Sequence, residues 1–137
     1  METMGTLYAK CKIENPVDRT RSVVVPKLLV DTGSEYSWVP ARKLERIGLK
    51  REKKDVSFVL ANGQRITRSV GFAIIRLGTH FTIDEIVFAE PGDLSLLGAR
   101  TLEGLNLTIE PARRQLVAAG PLPAASPMKR SVGQGVE

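Results

Sequence analysis

Residues 28 to 40 read LLVDTGSEYSWVP. An aliphatic run stops at Asp31-Thr32-Gly33, passes through Ser34 and Glu35, and re-enters an apolar stretch carrying the chain's only tryptophan, Trp38. A strand that ends on an acid, a small hydroxyl residue and a glycine has two readings. It is an ordinary exit from a strand into a turn, or it is a carboxylate placed at a strand end as half of a catalytic site.

The sequence on either side is mostly β in character. Residues 6 to 14 alternate around Leu7, Ala9, Cys11 and Ile13, the period-2 pattern of a half-buried strand. Asn15-Pro16 opens a turn. Residues 22 to 30 are rich in Val and Leu but contain Pro26, which cannot donate to a ladder and so predicts an edge or a bulge. Residues 40 to 47 read as a short helix: Pro40 suits the first turn, Leu44 and Ile47 share a face, and Gly48 suits the stop. Residues 56 to 70 predict a hairpin turning at Asn62-Gly63, a pair that suits a type I′ turn because both residues tolerate positive φ. Two further strands, 72 to 77 and 81 to 88, meet at Gly78-Thr79. A loop at Glu90-Pro91-Gly92-Asp93, a short strand at 94 to 97, a short helix at 100 to 105 and a last hairpin around Pro111 to Arg114 complete the pattern. Six to eight strands and two short helices predict an all-β barrel or folded-over sheet.

The chain has 137 residues, which predicts one domain with a core of its own. That domain is expected over residues 1–119. From Gly120 onward the chain is rich in Pro, Ala, Ser and Gly, so residues 120–137 are expected to be a disordered tail. One cysteine and one histidine exclude an internal disulfide and a multi-Cys or multi-His metal centre. Neither an N-terminal apolar leader nor an apolar run of about 18 residues is present. The expectation is a cytoplasmic protein with no membrane partner. The net charge of +5 is concentrated in residues 42 to 55, which hold seven basic and three acidic residues. A nucleic-acid surface would add interleaved aromatics or a binding motif. With only 5% aromatic residues, the segment reads as a solvated helix face and loop, and no nucleic-acid partner is expected.

The chemistry narrows by elimination. Glycine spacing for a phosphate cradle is missing. His80 stands between a turn and a strand, where it reads as a solvated turn residue, and Cys11 lies mid-strand among apolar neighbours as a small hydrophobe. Carboxylates remain. Water-driven amide cleavage suits two acids that share one proton, because like charges about 3 Å apart cannot both ionise; aspartic proteases are the standard case. Gly33 lets backbone approach closely, and Thr32 and Ser34 supply hydroxyls. Only one Asp-Thr-Gly occurs in the chain, so a dyad requires a second copy related by a two-fold axis.

Four features in order resemble the retroviral-like (retropepsin-like) single-domain aspartic proteases of the small bacterial type. They are Leu29-Val30-Asp31-Thr32-Gly33-Ser34; the apolar stretch and short helix from Trp38 to Leu49; the Asn62-Gly63 hairpin about 30 residues after the acid; and Leu96-Leu97-Gly98 about 33 residues later. The resemblance implies an acid-protease barrel with a flap hairpin, acting as a homodimer on polypeptide substrates without a cofactor or metal. Asp31 would be the catalytic carboxylate. Thr32 would bond across the dimer axis, Gly33 would bond the substrate backbone, and Ser34 would support the outer carboxylate oxygen. Ala61, Asn62, Gly63 and Gln64 would be the flap tip over an extended peptide, with Leu96, Leu97 and Gly98 forming pockets beneath. The sequence departs from the retroviral pattern in Ser34, where alanine is usual, and in a tip that is not glycine-rich, with Arg65 and Arg68 on the return arm. Tyr36 and Trp38 read as core or dimer packing. A catalytically silent dimeric peptide-binding module on the same fold is the alternative reading.

Overall fold

The computed structural model describes residues 6–125; most of the expected tail, from 126 onward, lies outside them. The described residues form nine strands and two short helices. Strands β1 (Tyr8–Glu14) and β2 (Ser22–Asp31) pair antiparallel, with a register shift where Pro26 and Lys27 oppose Lys10 alone. The proline therefore marks a bulge, as its missing N–H requires. Strand β3 (Ser37–Pro40) leads into helix α1 (Ala41–Arg46), which closes at Gly48 with φ +78°. Strands β4 (Lys53–Val59) and β5 (Arg65–Leu77) form the hairpin, and β6 (His80–Ala89) returns antiparallel along β5. Strand β7 (Leu96–Gly98), helix α2 (Ala99–Leu105) and a separate hairpin of β8 (Leu107–Glu110) with β9 (Gln115–Ala118) follow.

Two expectations need correcting. β5 is one strand of 13 residues, where the sequence predicted a break at Gly71. That glycine marks close approach instead: a Cβ there would run into the Lys50 carbonyl. The Asn62-Gly63 turn is not type I′. Gly63 alone takes positive φ (+86°), and its N–H bonds the Leu60 carbonyl at 2.8 Å. The hairpin closes through a three-residue loop, Ala61 to Gly63, with the glycine in the left-handed position. The Asn62 side chain works locally instead, accepting the Gln64 N–H at 2.9 Å.

The large sheet runs β1-β2-β7-β3-β6-β5-β4, and β1 also pairs with β5. Six strands thus close into a barrel, and β4 hangs from β5 as an outer edge. Short β7 is inserted between β2 and β3, parallel to β2 and antiparallel to β3. This insertion lays Gly98 opposite Asp31 in register.

Side-chain alternation splits the apolar residues into two sets. Ile75, Ile86, Phe88, Val39 and Leu97 point into the barrel with Cys11, Ile13 and Leu28. Val70, Val87, Trp38 and Leu96 point to the other face, where Val56, Phe58 and Ile66 of the β4–β5 hairpin cover them. The hairpin is therefore packed onto the barrel at its base, while residues 61 to 65 at its tip are exposed.

Where β1 meets β5, buried Glu14 takes Arg76 at 3.0 Å, with Arg19 at 3.3 Å and Lys12 at 3.7 Å. Burial acts to raise the Glu14 carboxyl, yet the hydrogen bonds and charges of Arg76 and Arg19 hold it below the ordinary glutamate range.

Candidate active site

Asp31 is the last residue of β2 and is half-buried; Thr32 and Gly33 beyond it are exposed. The turn is held from within: the Asp31 carboxylate accepts the Gly33 N–H at 2.9 Å, and the Asp31 carbonyl accepts the Ser34 N–H at 3.1 Å. It is held from behind by α2. The Ala99 N–H donates to the Ser34 carbonyl at 2.8 Å, and the Arg100 N–H to the Glu35 carbonyl at 3.1 Å. The Ser34 hydroxyl donates to the Tyr36 carbonyl at 2.9 Å. Ser34 thus supports the loop, but through backbone, where the resemblance implied a bond to the carboxylate's outer oxygen. Its hydroxyl has one proton, and the Tyr36 carbonyl receives it.

Gly98 is buried against the same loop. A Cβ there would overlap the Tyr36 carbonyl, so only glycine lets β7 lie this close. A buried chain of hydroxyls fixes the approach. The Gly98 N–H donates to Ser37 Oγ at 2.9 Å, Ser37 Oγ lies 2.6 Å from Thr101 Oγ1, and Thr101 donates to Asp84 Oδ2 at 2.9 Å. A carboxylate only accepts, so Thr101 commits its proton to Asp84 and Ser37 donates to Thr101. Every hydroxyl in the chain then both gives and receives. Sequence reasoning missed this network. Its members lie on β7, β3, α2 and β6, and nothing local marks them.

A groove of about 560 Å³ opens beside the loop, lined by Asp31, Gly33, Glu35, Tyr36, Trp38 and Leu96 on one side and by β4 and the hairpin residues Leu60 and Ala61 on the other. Its floor is aromatic. Phe58 meets Tyr36 edge-on at 5.5 Å between centroids and Trp38 at 5.1 Å. Tyr36 and Trp38, expected as packing, therefore pack and line the groove together. Glu35 is an exposed acid at its rim. A neighbouring groove of about 390 Å³ continues past Trp38 between Ala61, Asn62, Leu94 and Leu96.

The structure divides the predicted pocket residues. Leu96 lines both grooves. Leu97 is wholly buried inside the barrel and lines neither, because adjacent residues of a strand face opposite ways. Gly98 is a point of backbone contact. Of the predicted tip residues, Ala61 borders the groove that holds Asp31 and Asn62 borders its neighbour, while Gly63 projects into open space. Cys11 is 1% exposed, and burial pushes its thiol up to about 12, which removes it as a nucleophile. His80 is the first residue of β6, paired with Leu77. In the basic segment, Arg51 pairs with Glu45 at 2.7 Å and Lys53 with Glu85 at 2.9 Å.

Residues 12–101 match the family model described as aspartyl protease. The chain belongs to the aspartyl protease family. The matched span holds the Asp31 turn, the β4–β5 hairpin and Leu96-Leu97-Gly98, and leaves the β8–β9 hairpin outside. Among curated proteins, none matches the sequence significantly. Among solved structures, the EIAV protease complexed with the inhibitor HBY-793 is similar, with a TM-score of 0.52 and 15% identity over 77% of this chain and 92% of that one. At that identity the likeness speaks for the fold, and this member of the aspartyl protease family has the retropepsin-like barrel.

Proposed function

We propose that the protein is a homodimeric aspartic endopeptidase whose catalytic dyad is Asp31 from each of two copies. The supporting observation is the placement of Asp31. Its carboxylate stands at a strand end on an open groove, beside an exposed Thr32-Gly33 turn, and Asp-Thr-Gly occurs once in the sequence. A two-fold axis through the turn supplies the second carboxylate from the same residue.

In this reading one Asp31 is ionised and its twin protonated. The ionised carboxylate takes a proton from water as the water oxygen attacks the peptide carbonyl carbon, and the protonated twin donates to the carbonyl oxygen. Collapse of the tetrahedral adduct breaks the C–N bond, and a proton passes to the leaving nitrogen. Thr32 bonds across the axis. The Gly33 N–H is already engaged by Asp31, which leaves the Gly33 carbonyl to accept from the substrate backbone. An extended peptide lies along the open edge of β4, the flap's outer strand. Strand pairing tolerates many sequences, and Trp38, Phe58 and Leu96 select bulky apolar side chains.

The test is Asp31→Asn against a diverse peptide pool from about pH 3 to about pH 8, a range bracketing carboxylate pairs. Wild type should cut with a bell-shaped profile, and Asp31→Asn should leave the pool intact throughout. Equal survival of the pool with both proteins would sink the enzyme reading and favour the silent binding module.

A further inference from the structure

The return arm of the hairpin carries a tie that neither the fold nor the chemistry above requires. The Arg68 guanidinium grips the Asp93 carboxylate with two parallel hydrogen bonds, Nε to Oδ2 at 2.7 Å and Nη2 to Oδ1 at 2.8 Å. Both side chains are 14% exposed. The contact is thus a shielded, two-pronged pair rather than a loose surface one. Each partner is prepared. The Arg68 Nη1 also donates to the Thr67 carbonyl at 2.8 Å and lies 3.8 Å from Glu90. Asp93 ends a tight turn: Pro91 and Gly92 occupy its centre, Gly92 has φ +94°, and the Asp93 N–H bonds the Glu90 carbonyl at 2.9 Å. That is the chemistry of a type II turn. The Asp93 Oδ2 also accepts the Glu90 N–H at 2.8 Å, so the carboxylate is aimed at Arg68 by its own loop.

The location gives the tie its meaning. Arg68 pairs with Val56, immediately beyond the bulge where Lys54 and Asp55 oppose Ser69 alone and Asp55 takes φ +55°. The hairpin bends there. Beyond that point its tip is exposed. On the other side, Asp93 and Leu94 border the same groove as Ala61, Asn62 and Trp38. The Arg68–Asp93 pair therefore joins the hairpin, at its bend, to the loop that forms the facing wall.

We propose that Arg68 and Asp93 are positioning residues that clamp the hairpin to the 90–94 loop, so that the two move as one wall of the substrate groove. The effect on catalysis rests on the protease reading above; the effect on the hairpin does not.

Trp38 is the chain's only tryptophan, is 8% exposed, and lies beneath Phe58 and the hairpin, so its fluorescence reports the wall directly. Acrylamide quenching should be compared in full-length wild type, Arg68→Gln, Asp93→Asn and the double variant, with circular dichroism confirming the fold. Each single variant should raise the quenching constant about twofold, and the double should add nothing further, as expected of one coupled unit. Arg68→Lys keeps the charge but loses the two-pronged grip, so it should resemble Arg68→Gln. On the best-cut peptide of the pool, KM should rise several-fold with kcat nearly unchanged, the mark of lost uniform binding. Folded single variants that quench like wild type would overturn the clamp. Should Arg68→Gln fail to fold, Asp93→Asn and Arg68→Lys decide it in the same assay. Should wild type cut nothing, the protease reading falls and the quenching comparison still stands.

Discussion

Leu96 and Leu97 are neighbours of the same type, yet the barrel gives them opposite tasks. Leu97→Ala removes a side chain that is fully enclosed and should lower stability by about 3 kcal/mol, with KM nearly unchanged. Leu96→Ala, at the wall of both grooves, should shift KM and the choice of cleaved bond more than stability. Thermal melts beside peptide kinetics on the two variants check the contrast. The sequence displayed the pair but not its division, because which face of a three-residue strand points inward depends on strands far away in the chain. The same holds for Ser34. A hydroxyl beside an acid invites a bond between them, and only the folded loop shows the hydroxyl donating to the Tyr36 carbonyl. The placement of Asp31 at a strand end was legible because its signal is local: an aliphatic strand, an acid and a glycine in six consecutive residues.

Elements were legible wherever a single residue forces local geometry. Pro26 forces the bulge in β2, and Gly48 ends α1 in the left-handed region. The hairpin was placed correctly, while its turn type was not, since Asn62 uses its side chain rather than positive φ. Gly71 misled because an interior glycine signals a break and a close approach equally well. The polar chain from Gly98 through Ser37 and Thr101 to Asp84 left no trace in the sequence. It spans four elements, β7, β3, α2 and β6, and exists only once β7 lies between β2 and β3. Thr101→Val keeps the shape and removes the hydroxyl, leaving buried Ser37 without its acceptor and Asp84 Oδ2 without the Thr101 donor, while Asp84 Oδ1 keeps the Glu85 N–H. The expected loss is about 2 kcal/mol. If the chain positions the Asp31 turn, kcat should fall more than KM rises; a purely structural role would lower the melting temperature alone.

At the scale of the whole molecule, the seam that closes the barrel carries a charge cluster. Glu14 is buried at the seam of β1 and β5 and is held ionised by Arg76 and Arg19. Hydrogen bonding from Arg68 likewise holds the Asp93 carboxyl below the ordinary aspartate range. A carboxyl whose folded pKa is depressed stabilises the fold above its unfolded pKa, and that stability is lost as pH falls through the folded value. Melting temperature should therefore hold near neutrality and fall steeply below about pH 4, where ordinary carboxylates titrate. Glu14→Gln should be less stable at neutral pH and show a shallower acid decline. Parallel curves for the two proteins would assign the acid loss elsewhere. The larger claim concerns two copies. If each active site needs Asp31 from both chains, mixing wild type with Asp31→Asn at constant total protein, after exchange of subunits, makes activity follow the square of the wild-type fraction. An equal mixture should then retain about a quarter of the activity of wild type alone. A linear decline, with half the activity at equal mixing, would mean that one chain suffices and would contradict the shared dyad.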